Sequence, residues 1–140
     1  MKTLKKLTWL LLLPGALAFS GCSKTDDVVA PKTLSEEVSG NYDGNKLTIA
    51  GKDQTIPANG LSVEMAILPR TDSEVNGKLT YSLNGKNEFS DIEASLSRNS
   101  DGSIDITQAN TRIGTYKSGT ITINSKNASG VAFTLTATKR

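Results

Sequence analysis

Leu79-Thr80-Tyr81-Ser82-Leu83-Asn84-Gly85 is the stretch on which the fold class turns. Apolar side chains at every second position set one face of an extended chain against a core. The Asn-Gly that follows accepts the positive φ of a tight hairpin. The same grammar runs outward in both directions. Upstream, Leu47 and Ile49 alternate, then Val63, Met65 and Ile67. Downstream come Ile92, Ala94 and Leu96; Ile104 and Ile106; Ile121 and Ile123; and Val131, Phe133 and Leu135. Between them fall Gly51-Lys52-Asp53, Asn59-Gly60, Asn76-Gly77, Asp101-Gly102, Ser118-Gly119 and Ser129-Gly130, all turn formers.

The outward partners are mostly Thr, Ser, Asn, Lys and Asp, as in sheets wetted on one face. No window beyond Ser39 sustains a 3.6-residue period for more than a turn or two. The expectation is an all-β domain over 38–140: an antiparallel meander of seven or eight strands. Short strands at this spacing fit a small up-and-down barrel or a two-sheet β-sandwich. Closure is favoured because the strands contain few prolines that would protect open edges.

The chain has 140 residues, enough for one such domain with appendages. It contains no histidine and one cysteine. That composition excludes a disulfide scaffold, a haem or zinc site of the usual kind and any catalytic group built on histidine. Gly-rich phosphate loops are absent too, so no cofactor is expected.

Residues 1–21 read as a secretory signal, with Lys2, Lys5 and Lys6 ahead of an apolar run from Leu7 to Phe19. The run is too short to span a bilayer, which takes ~20 residues, and Pro14-Gly15 interrupts it. Removing those three lysines leaves 13 basic residues against 14 acidic ones. A balanced surface gives no reason to expect a nucleic-acid partner.

Phe19-Ser20-Gly21-Cys22 resembles the lipobox of bacterial lipoproteins, although Phe19 stands where that family usually carries an aliphatic residue. The resemblance implies recognition of Phe19, Ser20 and Gly21 by the lipoprotein signal peptidase. It also implies a lipidated Cys22 as the first mature residue. Two or more acyl chains hold a protein stably on a membrane. The following Lys24, Asp26 and Asp27 are similar to the acidic export signal of Bacteroidota lipoproteins, with Thr25 interrupting the pattern; a solvated linker is the other reading. An outer-membrane location, with surface exposure, is what the signal implies.

Residues 22–37 are polar and read as the lipidated cysteine and a flexible tether, which spans roughly 20 Å as a coil. Within it, Thr33-Leu34-Ser35-Glu36 has capping-box spacing, which predicts one helical turn through Val38, serving as a plug or entry turn.

Gly40-Asn41-Tyr42-Asp43-Gly44-Asn45-Lys46-Leu47-Thr48-Ile49 resembles the opening strand of calycin-like barrel domains in Bacteroidota lipoproteins. Tyr42 takes the place of the lipocalin tryptophan. That resemblance implies a barrel holding a small or hydrophobic ligand.

The remaining constellations are weaker. Asn99-Ser100-Asp101-Gly102-Ser103-Ile104-Asp105 partly mimics a calcium loop but lacks its opening acid and closing glutamate, so an Asp-Gly hairpin turn is expected instead. Asp91 and Glu93, and Asp72 and Glu74, are paired carboxylates, yet no tryptophan remains after the signal to stack a sugar. They read as solvated faces. Tyr81 and Phe133 are in phase with the core.

A non-enzymatic, lipid-anchored envelope protein with a small ligand-binding barrel is therefore expected. The alternative is a structural or interaction protein meeting another envelope protein or a glycan through its outer face or through loops 69–77 and 84–91.

Overall fold

Strand β1 (Gly40–Ile49) is the seam of the architecture: it pairs on one edge with the last strand and on the other with the two strands that follow it. The computed structural model describes residues 30–126 and 130–140. From Pro31 onward they form a compact unit. After a short helix α1 (Leu34–Val38) and β1 come β2 (Lys52–Thr55), β3 (Leu61–Thr71), β4 (Glu74–Leu83) and β5 (Lys86–Arg98). Then follow β6 (Ile104–Gln108), β7 (Thr111–Lys117), β8 (Thr120–Lys126) and β9 (Ala132–Lys139).

Each strand from β3 to β9 pairs antiparallel with the next. β9 returns to β1, from Tyr42↔Lys139 to Ile49↔Phe133. β1 in turn pairs with β3 over Gly40 to Asp43 and with the extra strand β2 over Lys46 to Ile49. The sheet thus closes into an eight-stranded up-and-down barrel with one added strand, and the sandwich is excluded.

Closure needs strands that bend, and two glycines supply the bends. Gly44 sits at the β1 bulge, where a Cβ would lie 2.9 Å from Ile56 Cδ1 and 3.0 Å from the Val63 carbonyl. At Gly114, beside the β6–β7 bulge, a Cβ would lie 2.3 Å from the Thr122 carbonyl oxygen. No other residue fits there without moving the neighbouring strand.

Inward side chains fill the lumen. Tyr42, Val63, Met65, Ile67, Val75, Leu79, Leu96, Ile104, Ile106, Tyr116, Ile121, Ile123 and Leu135 are all at most 7% exposed. Ile56, from the segment after β2, enters the same core against Gly44.

α1 closes one end. Its capping box is formed as predicted: Thr33 Oγ1 accepts from the Glu36 N–H at 3.2 Å, and Glu36 Oε2 accepts from the Thr33 N–H at 2.9 Å. Ser35 N–H donates to the Asp72 carbonyl in the β3–β4 turn at 3.1 Å. Glu37 takes the Arg98 guanidinium on its carboxylate, and its carbonyl accepts from Lys139 Nζ at 3.2 Å. Val38 is fully buried. The helical turn is thus part of the compact unit that begins at Pro31.

Four local expectations change. Asn76-Gly77 is not a turn but lies inside β4, opposite Leu68 and Ile67, and the chain reverses at Asp72-Ser73. Segments 69–77 and 84–91 are accordingly strands and hairpin tips rather than loops. β2 and β7 are additional strands. Finally Ile49, Leu83 and Val131, all expected inside, are 41%, 54% and 38% exposed, because each lies at the barrel end opposite α1.

Candidate functional site: the open end of the barrel

The apolar alternation continues past the filled core to the strand ends away from α1. There Ile49 of β1 stands opposite Phe133 of β9, and Leu61 of β3 opposite Leu83 of β4. One step further in, Tyr81 faces Val63 across the same pair of strands. Ile92 on β5 and Ile113 on the β7 bulge are also partly buried against the same core. Leu61, Tyr81, Ile92, Ile113 and Phe133 are half-buried, packed against the core on one side only. Burial pushes the Tyr81 phenol above its ordinary pKa, so it stays a neutral donor and acceptor at the edge of an apolar cup. Such a cup can take up an apolar group.

The two ends therefore differ chemically. One is sealed by a helix tied down through backbone and side-chain hydrogen bonds. The other presents aliphatic and aromatic side chains to solvent.

The carboxylate pairs do not converge on this cup. Asp91 and Glu93 are exposed on the outer face, and Glu93 pairs with Arg70 at 3.5 Å. One member of each pair, Glu74 and Glu93, does share a surface hollow of about 160 Å³ with Arg70, Ser95, Thr107 and Ala109. A second hollow of about 80 Å³ lies on the outer face over β1, β3 and β4, lined by Asn41, Glu64, Lys78, Thr80 and Arg140. Arg140 organises it, bonding Asp43 at 2.6 Å and Glu64 at 2.6 Å. That hydrogen bond, reinforced by the guanidinium charge, holds the Asp43 carboxyl below the usual carboxylate range.

The Asn99–Asp105 segment is a side-chain-tied turn. Asp101 Oδ1 accepts from the Ser103 hydroxyl at 2.6 Å and from its N–H at 3.0 Å, and Lys117 Nζ is 3.2 Å from Asp101 Oδ2. Asp105 Oδ1 accepts from Asn99 Nδ2 at 2.9 Å and pairs with Arg112 at 2.8 Å. Its oxygens are turned to protein donors rather than to a common centre. Among the described residues, no group of three or more Cys, Asp or Glu side chains is placed to hold a metal ion.

Phe19, Ser20, Gly21, Cys22, Lys24, Asp26 and Asp27 lie outside the described residues. Of the cup, Ile49, Tyr81, Leu83, Ile92 and Phe133 were in phase in the sequence. Leu61 continues the Val63-Met65-Ile67 phase and was readable from it. Ile113 was not, because the bulge breaks its alternation with Tyr116.

The chain matches no protein-family model and no curated protein sequence. Among solved structures it is similar to a de novo designed fluorescence-activating β-barrel, with 14% identity, a TM-score of 0.47, and coverage of 76% of this chain and 96% of the designed one.

Proposed function

We propose that this chain is a lipid-anchored protein of the bacterial outer membrane, held through Cys22, whose small barrel takes a hydrophobic molecule or group at its open end. The observation that carries the ligand reading is the asymmetry of the barrel: α1 seals one end, while Ile49, Leu61, Tyr81, Leu83 and Phe133 leave an apolar cup at the other. Because the lumen below is filled, the ligand sits in the mouth and buries only part of its length. The anchor reading rests on the lipobox-like Phe19-Ser20-Gly21-Cys22, and surface exposure on Lys24, Asp26 and Asp27. The role in this reading is binding.

Native mass spectrometry of the Cys22→Ala protein, incubated with an envelope lipid extract, tests the ligand. A bound species of defined mass that Leu83→Asp removes is expected. A clean apo mass in repeated trials sinks the ligand reading. It would favour instead the second reading, a surface protein contacting an envelope protein or glycan, which the filled lumen also suits. Cys22→Ala is expected to move the protein from the membrane fraction to the soluble one; continued membrane fractionation would refute the anchor.

A further inference from the structure

β5 is the longest strand, with 13 residues, and it is only partly covered. On one edge it pairs with β4 along nearly its whole length, from Lys86 to Ser95. On the other it meets β6 only from Ser95 to Arg98. Lys86 to Ala94 therefore form an edge with no neighbouring strand among the described residues.

The orientation of the free groups follows from the ladder. Leu96 N–H donates to the Ser73 carbonyl at 2.8 Å, so the even-numbered residues of β5 turn their backbone groups toward β4. By alternation Asn87, Phe89, Asp91 and Glu93 turn theirs to the open edge. An edge of this kind is a template for another strand. Its outer side chains include Phe89, 59% exposed, with Lys78 Nζ 4.2 Å from the ring centroid. No interior contact accounts for that ring.

We propose that this edge pairs with the same edge of a second copy of the chain, making a two-fold antiparallel β5–β5 junction centred on Phe89. The start of β6 sets the register. Ser95 is already paired with Thr107, so an incoming hairpin must end one step before it. With Phe89 opposite the partner's Phe89, Asn87 lies opposite the partner's Asp91, and Glu93 opposite the partner's Gly85. The incoming Asn84-Gly85 turn then reaches the hollow of about 160 Å³ lined by Glu93, Ser95, Thr107 and Ala109. A Cβ at Gly85 would meet nothing within 4 Å in its own chain, so the tip is open to such a contact.

A slide of two residues toward β6, the smallest that keeps the edge-facing backbone groups opposite each other, would drive the partner's Gly85 against Ser95 and Thr107. Two further residues would set Asp91 against the partner's Asp91, and like charges directly opposite are unfavourable. The Phe89-centred register instead stacks two exposed aromatics and separates the acids. It forms about six backbone hydrogen bonds. The two contacting surfaces are identical, as a closed two-fold dimer requires.

Sedimentation equilibrium of the full chain in density-matched detergent, with hydrogen exchange on the same samples, decides the matter. The expected result is a concentration-dependent dimer with protected amides at Asn87, Phe89 and Asp91. Phe89→Lys should weaken dimerisation at least about tenfold, whereas Leu68→Lys, at an exposed outer site away from the edge, should not. Asp91→Pro removes an N–H that β4 does not use and should abolish the dimer; if that variant fails to fold, Phe89→Lys carries the test. A chain that stays monomeric overturns the proposal, whether these amides exchange freely or are protected only when an extended strand of a different protein is added. So does a dimer indifferent to Phe89→Lys.

Discussion

Tyr42 is fully buried, and its phenol donates to the Val38 carbonyl, tying β1 to the end of α1. Burial, with a smaller contribution from Tyr116, pushes its pKa well above the ordinary value, so the donor proton is held throughout the physiological range. Tyr42→Phe keeps the ring and strands a buried carbonyl, which costs ~1–3 kcal/mol. Denaturant unfolding would show it; an unchanged midpoint would mean that Val38 finds another donor. Asp101 is a second residue with a measurable signature. The Ser103 hydroxyl, then the Ser103 N–H, then Lys117 lower its carboxyl to about 2 from an ordinary 3.8. A depressed folded-state pKa stabilises the fold fully above the ordinary value and loses that contribution as pH falls through the folded one. Asp101→Asn should therefore be less stable at neutral pH and lose part of its acid sensitivity between pH 3.8 and about 2. Unfolding across a pH series reads both effects, with Asp43 and Asp53 retaining the rest of the slope. The sequence marked both positions, Tyr42 as the stand-in for a tryptophan and Asp101 as a turn residue. Their partners, the Val38 carbonyl and Lys117, are set by tertiary packing and had no local mark.

At the scale of the element, legibility follows the distance over which each signal acts. α1 was readable because the capping box is complete within Thr33 to Glu36. Thr33→Ala removes the acceptor for Glu36 N–H and should destabilise the barrel by ~1 kcal/mol, read by thermal unfolding. An equal loss from Glu36→Ala would show the two halves of the box acting as one. β7 was hidden because the bulge between Ile106 and Thr107 on β6 leaves Ile113 without a partner and shifts the phase before Gly114. β2 was hidden for a different reason: Gln54, its one partly covered residue, is polar, and the strand lies on β1 without contributing an apolar face. Asn76-Gly77 misled because the same dipeptide serves two purposes. Asn84 and Gly85 both adopt positive φ and make a turn, whereas Gly77 lies flat in β4, where a Cβ would stand 3.4 Å from Ile92 Cβ. The open cup was legible as inward phase, but its exposure was not, since alternation says which face a residue takes and not how far the cover extends.

For the whole molecule, the choice between barrel and sandwich depended on whether β9 returns to β1, and no local pattern encodes that. The junction is held by a ladder from Tyr42↔Lys139 to Ile49↔Phe133 and by Asn45 Nδ2 donating to Thr138 Oγ1 at 2.7 Å. Beyond it the Arg140 N–H donates to the Asn41 carbonyl at 2.9 Å, and Lys139 reaches the Glu37 carbonyl, so the last residues finish beside the helix that begins the barrel. Two rearrangements separate closure from chain order. Truncation after Gly130 removes β9, bares the edges of β1 and β8, and uncovers Leu47, Ile121 and Ile123. Strands so exposed associate between chains, and the truncated protein should aggregate without a cooperative unfolding transition. A circular permutant joins Arg140 to Pro31 through a short linker and opens the exposed Ala109-Asn110 turn. It keeps every strand pair, so it should unfold cooperatively even if at lower temperature. Cooperative unfolding of the truncated chain would show that an open sheet suffices. Failure of the permutant would show that the order of the strands along the chain, and not the closed ladder alone, is needed to reach the fold.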